Sequence, residues 1–229
     1  MAKFHFVEDY DRLVRRLKWK YSLDEAMSRA VGGGGYEHVG QVEAAIVRYA
    51  GLRDGDSLID LGCGSGRLST ALGEQMKIEY SGIDVVSSLL KYAKKKAPPN
   101  YKFILNRSLG IPLPDNSADM ATAFSVFTHL LHHESYIYLE HMKRVVRPGG
   151  AVIFSFLEFA EARHWAQFEA TVEVQRNKPM PHLNQYIERS QIELWSSKIG
   201  YGSVNFVDSP ASPWGAPGEL GQSVAILRK

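Results

Sequence analysis

Cysteine is nearly absent from this chain: its 229 residues include one, Cys63. A single thiol excludes a disulfide framework and any cysteine-based zinc or iron–sulfur centre. A reducing, cytoplasmic setting is the expectation. Long apolar runs are missing too. No stretch approaches the roughly 20 residues that a membrane-spanning helix requires, and no run of signal-peptide length opens the chain, so no membrane partner is expected. Charge of one sign is scarce, with 27 Lys+Arg against 25 Asp+Glu and a formal net charge of +2, too mild a balance to argue for nucleic acid. Internal repeats are absent. What is present, 45% hydrophobic and 23% charged residues, is the composition of a globular protein long enough to bury a sizeable core in one main domain.

The organising stretch is Leu58-Ile59-Asp60-Leu61-Gly62-Cys63-Gly64-Ser65-Gly66-Arg67. A short apolar run with one carboxylate reads as a buried strand, and Leu68, Ala71, Leu72 and Met76 recur behind it at helical spacing. Between them lie three alternate glycines. Without Cβ, such a turn takes positive φ and lets backbone approach a ligand closely, and the helix that follows offers unpaired N–H groups. The spacing is G-x-G-x-G, with Arg67 following the last glycine, so the dinucleotide pattern G-x-G-x-x-G is not met. About twenty residues on, a second strand over 78–83 ends at Asp84, where α/β nucleotide sites place a carboxylate for ribose hydroxyls.

Elsewhere, Tyr10, Leu13, Val14 and Leu17 make one apolar face of a helix over 8–19, and Ser22 with Glu25 reads as a capping box opening a helix to about residue 30. Gly32-Gly33-Gly34-Gly35 is either a linker or the hinge of a lid in which Tyr36 or His38 closes over a ligand. Further helices are expected over 39–50, 85–97, 133–146 and 187–199, and strands over 101–105, 119–124, 151–157, 203–207 and 223–227. Pro148 stops the helix before the fifth strand, and Gly149-Gly150 permits the reversal. This β–α alternation predicts a mostly parallel sheet. The division expected is an N-terminal helical extension or lid over 1–38 and one domain over 39–229. Within the latter, the irregular, aromatic segment 159–186 would roof the ligand crevice and set specificity.

The pairing of Asp60-x-Gly62-x-Gly64-x-Gly66 with Gly82-Ile83-Asp84, and the later runs LPDNSADM and HMKRVVRPGGAVIFSF, resemble the class I S-adenosylmethionine-dependent methyltransferases over residues 58–156. The resemblance implies a Rossmann-like, seven-stranded, mostly parallel α/β sheet with helices on both faces, an antiparallel last strand and a final hairpin with an antiparallel edge. It implies S-adenosyl-L-methionine as cofactor and S-adenosyl-L-homocysteine as product. Asp60 and Gly62 would lie under the methionine end, Cys63, Gly64 and Gly66 would line the turn, Asp84 would hold the ribose, Val85 would flank adenine, and Phe124 and Ser125 would face the methionine portion. Where the family carries an acidic residue for the adenine amino group, this chain has Asn106-Arg107-Ser108. Arg107 cannot accept a hydrogen bond, which leaves Asn106, Ser108 or a backbone carbonyl.

His129, His132 and His133 follow the fourth strand, and His129 is the candidate for a general base or acceptor contact. No carboxylate or cysteine completes a metal set with them, so no metal is expected. Trp165 and Trp214 are candidates to line an aromatic pocket; Trp195 reads as core. The expected function is methyl transfer to a small-molecule acceptor, at oxygen. The alternatives are a nicotinamide-dependent oxidoreductase, which Arg67 disfavours, and a non-catalytic cofactor-binding module. Oligomeric state is left open.

Overall fold

The computed structural model describes residues 7–33, 35–177 and 184–229, with side chains from Tyr10 onward. Pro179, Pro181 and His182, assigned above to the roof, lie outside the described residues. The chain runs α1 (Val7–Lys20), α2 (Leu23–Arg29), α3 (Tyr36–Tyr49), β1 (Ser57–Leu61), α4 (Arg67–Gln75), β2 (Glu79–Asp84), α5 (Ser87–Lys96), β3 (Lys102–Leu105), β4 (Ala118–Ala123), α6 (His132–Val145), β5 (Val146–Phe156), α7 (Ala162–Asn177), α8 (Arg189–Ile199), β6 (Ser203–Val207) and β7 (Ser223–Arg228). The strands form one seven-stranded sheet in the order β3-β2-β1-β4-β5-β7-β6.

Burial on both faces explains the apolar strands of the parallel half. In β1, Ile59 and Leu61 pack on one face with Tyr138, Leu139 and Met142 of α6 and Ile192 of α8. Leu58 packs on the other with Val42, Ile46 and Val47 of α3, Leu68 and Leu72 of α4 and Leu90 of α5. Period-2 alternation puts Asp60 on the Leu58 face. A third cluster seats α1 and α2 on α5, through Val14, Ala26 and Met27 against Val86, Leu89 and Tyr92. Ser22 caps α2 as its spacing predicts, its side chain accepting from the Glu25 N–H.

Three expectations need correction. The helix expected from residue 39 begins at Tyr36, because Gly35, at φ 69°, turns the chain straight into it. β5 does not wait for the residues after Pro148-Gly149-Gly150: it starts at Val146, and those residues lie where its register with β4 shifts between Ala118 and Met120. Gly150 is needed there because a Cβ would sit 2.4 Å from the Asp119 carbonyl oxygen. Among its described residues, segment 159–186 is largely helical rather than irregular. It holds the 16-residue helix α7, whose one buried residue is His164, so its aromatics follow no single helical face. As the resemblance implies, the last strand is antiparallel and pairs with β6 in a hairpin at the edge of the sheet. β7 is inserted between β5 and β6 and runs antiparallel to both, leaving β6 outermost.

Candidate active site

The carboxyl ends of β1, β2 and β4 open into a cavity of about 520 Å³, the crevice where open α/β sheets bind ligands. Its floor is the glycine turn. Gly62 and Gly64 sit at φ 72° and 56°. A Cβ on Gly62 would lie 2.3 Å from Val126 Cγ2, and one on Gly64 2.6 Å from Val31 Cγ1, so the turn admits no side chain and presents backbone to the cavity. Gly66 plays another part: it is the N-cap of α4, at φ 90°, packed against Ala93 and Ser69, and it does not line the cavity.

Asp84, at the end of β2, is tied to that turn. Its Oδ2 accepts the Gly64 N–H at 2.9 Å and its Oδ1 accepts the Val86 N–H at 2.8 Å. Burial nevertheless pushes its carboxyl above the ordinary range, the N–H donors opposing. Asp60 is deeper, 3% exposed. Tyr80 donates to its Oδ2 at 2.5 Å and Thr122 to its Oδ1 at 3.2 Å, Thr122 being its register partner on β4. Burial lifts Asp60 to about 7, against the Tyr80 hydrogen bond. Cys63 is buried against Gly82, and burial drives its thiol well above its usual value, so it fills space and is poorly suited to act as a nucleophile.

The turn is braced by Arg67 and by residues that the sequence motif does not advertise. Arg67 donates to the Val31 carbonyl and to Glu43 Oε1, both at 2.7 Å. Ser65 Oγ donates to the Met27 carbonyl at 3.0 Å, and the Tyr36 hydroxyl to the Ser65 carbonyl at 2.7 Å. Tyr36 and His38 therefore lie behind the turn, outside the cavity. The N-terminal segment reaches the cavity instead through Tyr10, Ala30, Val31, Gly32 and Gly33.

Of the residues singled out from the sequence, the structure brings Asp60, Gly62, Cys63, Gly64, Asp84, Val85, Phe124, Ser125 and His129 to one cavity, with Asn106. Arg107 and Ser108 do not line it. Arg107 reaches the Val85 carbonyl and Asp11, and Ser108 bonds Asn106. Ser125 holds φ 56°, uncommon for a residue with a side chain. Its N–H donates to Ser155 Oγ at 2.7 Å, and its Oγ pairs with the Gln222 carboxamide at 3.1 Å.

His129 stands beside Tyr10, ring centroids 6.1 Å apart. Burial, aided by the Asp84 charge, pushes the Tyr10 hydroxyl up to about 12. His132 is used structurally, bonding the Tyr186 carbonyl and Gln191. Trp165 and Trp214 line no part of the cavity. The first is 44% exposed beside Phe159 and Phe168, and the second donates to the Gly218 carbonyl. Gln167, Asn184 and Gln222 do line it; carboxamides in loops and on a weakly amphipathic helix carry no periodic signal that could have found them. Among the described residues, no group of three His, Cys, Asp or Glu side chains could hold a metal ion, and no helix is long and apolar enough to cross a membrane.

This sheet order and this turn define the class I S-adenosylmethionine-dependent methyltransferase fold. Within it, residues 59–154 match the methyltransferase domain family. Among similar proteins, the ubiquinone/menaquinone biosynthesis C-methyltransferase of Cupriavidus taiwanensis is 28% identical over 153 residues, 62% of this chain and 58% of that protein. The malonyl-[acyl-carrier protein] O-methyltransferase of Serratia marcescens is 27% identical over 181 residues, 76% of this chain and 65% of that protein. The chain spans 45% to 65% of the length of the first curated relatives it matches. A crystal structure of an S-adenosylmethionine-dependent methyltransferase from Thermotoga maritima superposes with TM-score 0.66 at 15% identity, covering 98% of this chain and all of that one.

Proposed function

We propose that this chain transfers a methyl group from S-adenosyl-L-methionine to an oxygen of a small-molecule acceptor. The observation that carries the reading is the joint between Asp84 and Gly64: a carboxylate at the β2 tip, bonded to a turn that admits no Cβ. Asp84 would hold ribose hydroxyls, and Gly62 and Gly64 would allow close backbone approach. Val85 and Leu89 would flank the adenine, with Asn106 near its amino group. Phe124 and Ser125 would face the methionine portion. Asp60 would lie under the methionine end, its carboxyl group held by Tyr80 and Thr122. When bound, the cofactor supplies an electrophilic methyl on a sulfonium, so the protein chiefly positions the acceptor. His129 would take the acceptor's proton, imidazole being suited to transfer near neutral pH. Tyr10, whose hydroxyl stays protonated at neutral pH, would donate a hydrogen bond. The N-terminal segment would act as a lid, since Tyr10 and residues 30–33 form one wall of the cavity.

Isothermal titration with S-adenosylhomocysteine tests the reading. Wild type binds, and Asp84→Ala weakens binding by about 100-fold, the scale of losing hydrogen bonds to a charged group. A wild-type protein that fails to bind overturns it. Carbon is the second reading, favoured by the C-methyltransferase among the relatives, and the methyl shift in the product's NMR spectrum separates the two.

A further inference from the structure

The carboxyl ends of β2, β1, β4 and β5 stand in a row along the sheet, and Gln222 joins that row from the far end of the chain. It immediately precedes β7, whose first residue, Ser223, is the register partner of Phe156 at the end of β5. From there the side chain reaches back to the tip of β4. Its Nε2 lies 3.1 Å from Ser125 Oγ and its Oε1 3.3 Å from the same atom, and both residues line the cavity.

Buried groups fix Gln222 from both sides. The buried His164 accepts the Glu158 N–H at Nδ1 over 3.2 Å, so its Nε2 carries the proton and donates to the Gly221 carbonyl at 3.3 Å. On the other side Ser223, also buried, donates to Glu158, which takes Arg189 in a two-pronged contact at 2.9 and 2.8 Å. Ser125 is fixed in turn, since its N–H donates to the buried Ser155 Oγ at 2.7 Å. The Ser125 hydroxyl engages only part of what the carboxamide offers, which is two N–H donors and an oxygen with two lone pairs.

Resting on the methyltransferase reading above, we infer that Gln222 holds the amino-acid end of the cofactor, with Ser125 as the residue that aims it. Length points to this end. Neighbouring strands lie roughly 4.8 Å apart, so the tip of β4 stands about 10 Å from the tip of β2, where Asp84 takes the ribose. The homocysteine tail beyond the ribose C5′ spans about 7 Å when extended, and the sugar ring covers most of the remainder. The terminal ammonium and carboxylate therefore arrive beside Ser125 and the Gln222 carboxamide, past Asp60 on β1. The carboxamide N–H donates to the carboxylate and its oxygen accepts from the ammonium. Hydrogen bonds to charged groups are the stronger kind.

Isothermal titration with two ligands tests it. S-adenosylhomocysteine carries the amino-acid end, whereas 5′-methylthioadenosine keeps the adenine, ribose and sulfur and lacks it. Gln222→Leu is expected to weaken S-adenosylhomocysteine about tenfold, the scale of one hydrogen bond to a charged group, and to leave 5′-methylthioadenosine within about twofold. Ser125→Ala keeps Gln222 and removes the hydroxyl that aims it. This variant is expected to weaken S-adenosylhomocysteine about threefold, again without moving 5′-methylthioadenosine, and to add nothing further when combined with Gln222→Leu. A wild-type protein that binds neither ligand removes the methyltransferase reading and this inference with it. Wild-type binding of S-adenosylhomocysteine with its affinity unchanged in Gln222→Leu, which would move Gln222 to the acceptor, overturns the inference alone. An equal loss for both ligands, which would make the part of Gln222 structural, does the same.

Discussion

On the β1–β2 side of the cavity, ionisable groups are buried and each is held by named partners: Asp60 by Tyr80 and Thr122, Asp84 by two backbone N–H groups, Glu43 by Arg67. On the α7 side, among the described residues, the polar lining is carboxamide and hydroxyl beside the apolar Leu157 and Leu220, and the nearby aromatics are partly in solvent, Phe159 and Trp165 among them. One wall is over-determined by backbone and buried charge, and the other is a light frame of neutral groups. The invariant part of a ligand needs a shape fixed in advance, whereas the part that distinguishes one acceptor from another is set by groups that can change without disturbing the sheet.

The sharpest way to break this contrast is Arg67→Ala. It strips the counter-ion from Glu43, which is 3% exposed, and frees the Val31 carbonyl. Removing one partner of a buried pair costs about 3–5 kcal/mol, read as a fall in the urea unfolding midpoint. Adding Glu43→Gln should recover part of it by removing the orphaned charge.

Asp60→Asn is next. Burial raises the folded-state Asp60 to about 7, so between about pH 4 and 7 the folded protein keeps a proton that the unfolded chain has lost, and stability falls as pH rises through that window. Glu43 and Asp84 are raised as well and act in the same sense. The variant should flatten the fall by up to about 4 kcal/mol, checked by unfolding curves on either side of the window. A pH dependence identical to wild type would show that Asp60 is not the group responsible.

Gly64→Ala should cost about 2 kcal/mol, part from a side chain at positive φ and part from the contact with Val31. Val31→Ala in the same chain should relieve the second part alone. Smallest of all, Trp165→Ser should move the thermal midpoint little, by no more than about 0.5 kcal/mol in stability. A large loss would mean that the α7 wall is as tightly determined as its counterpart.

The same contrast explains what could be read in advance. The glycine turn and Asp84 were legible because positive φ, Cβ exclusion and a strand-end carboxylate restrict residue type locally. Ser22 capping and the β–α alternation were legible for the same reason. Tyr10 could be placed on an apolar helix face, but not at the cavity, because only the packing of α1 and α2 on α5 takes it there. Gln167, Asn184 and Gln222 were invisible, since their convergence depends on contacts between segments far apart in the chain. The continuation of β5 through Pro148 was hidden by a register shift that lets the strand keep residues unable to pair regularly.

The insertion of β7 between β5 and β6 also bears on how the protein is made. β6 is synthesised before β7, yet it joins the sheet through β7, so a nascent chain that has just completed β6 carries a strand with no docking partner. The centre and the β3 edge can assemble as they emerge, while the opposite edge closes after the final strand has left the ribosome.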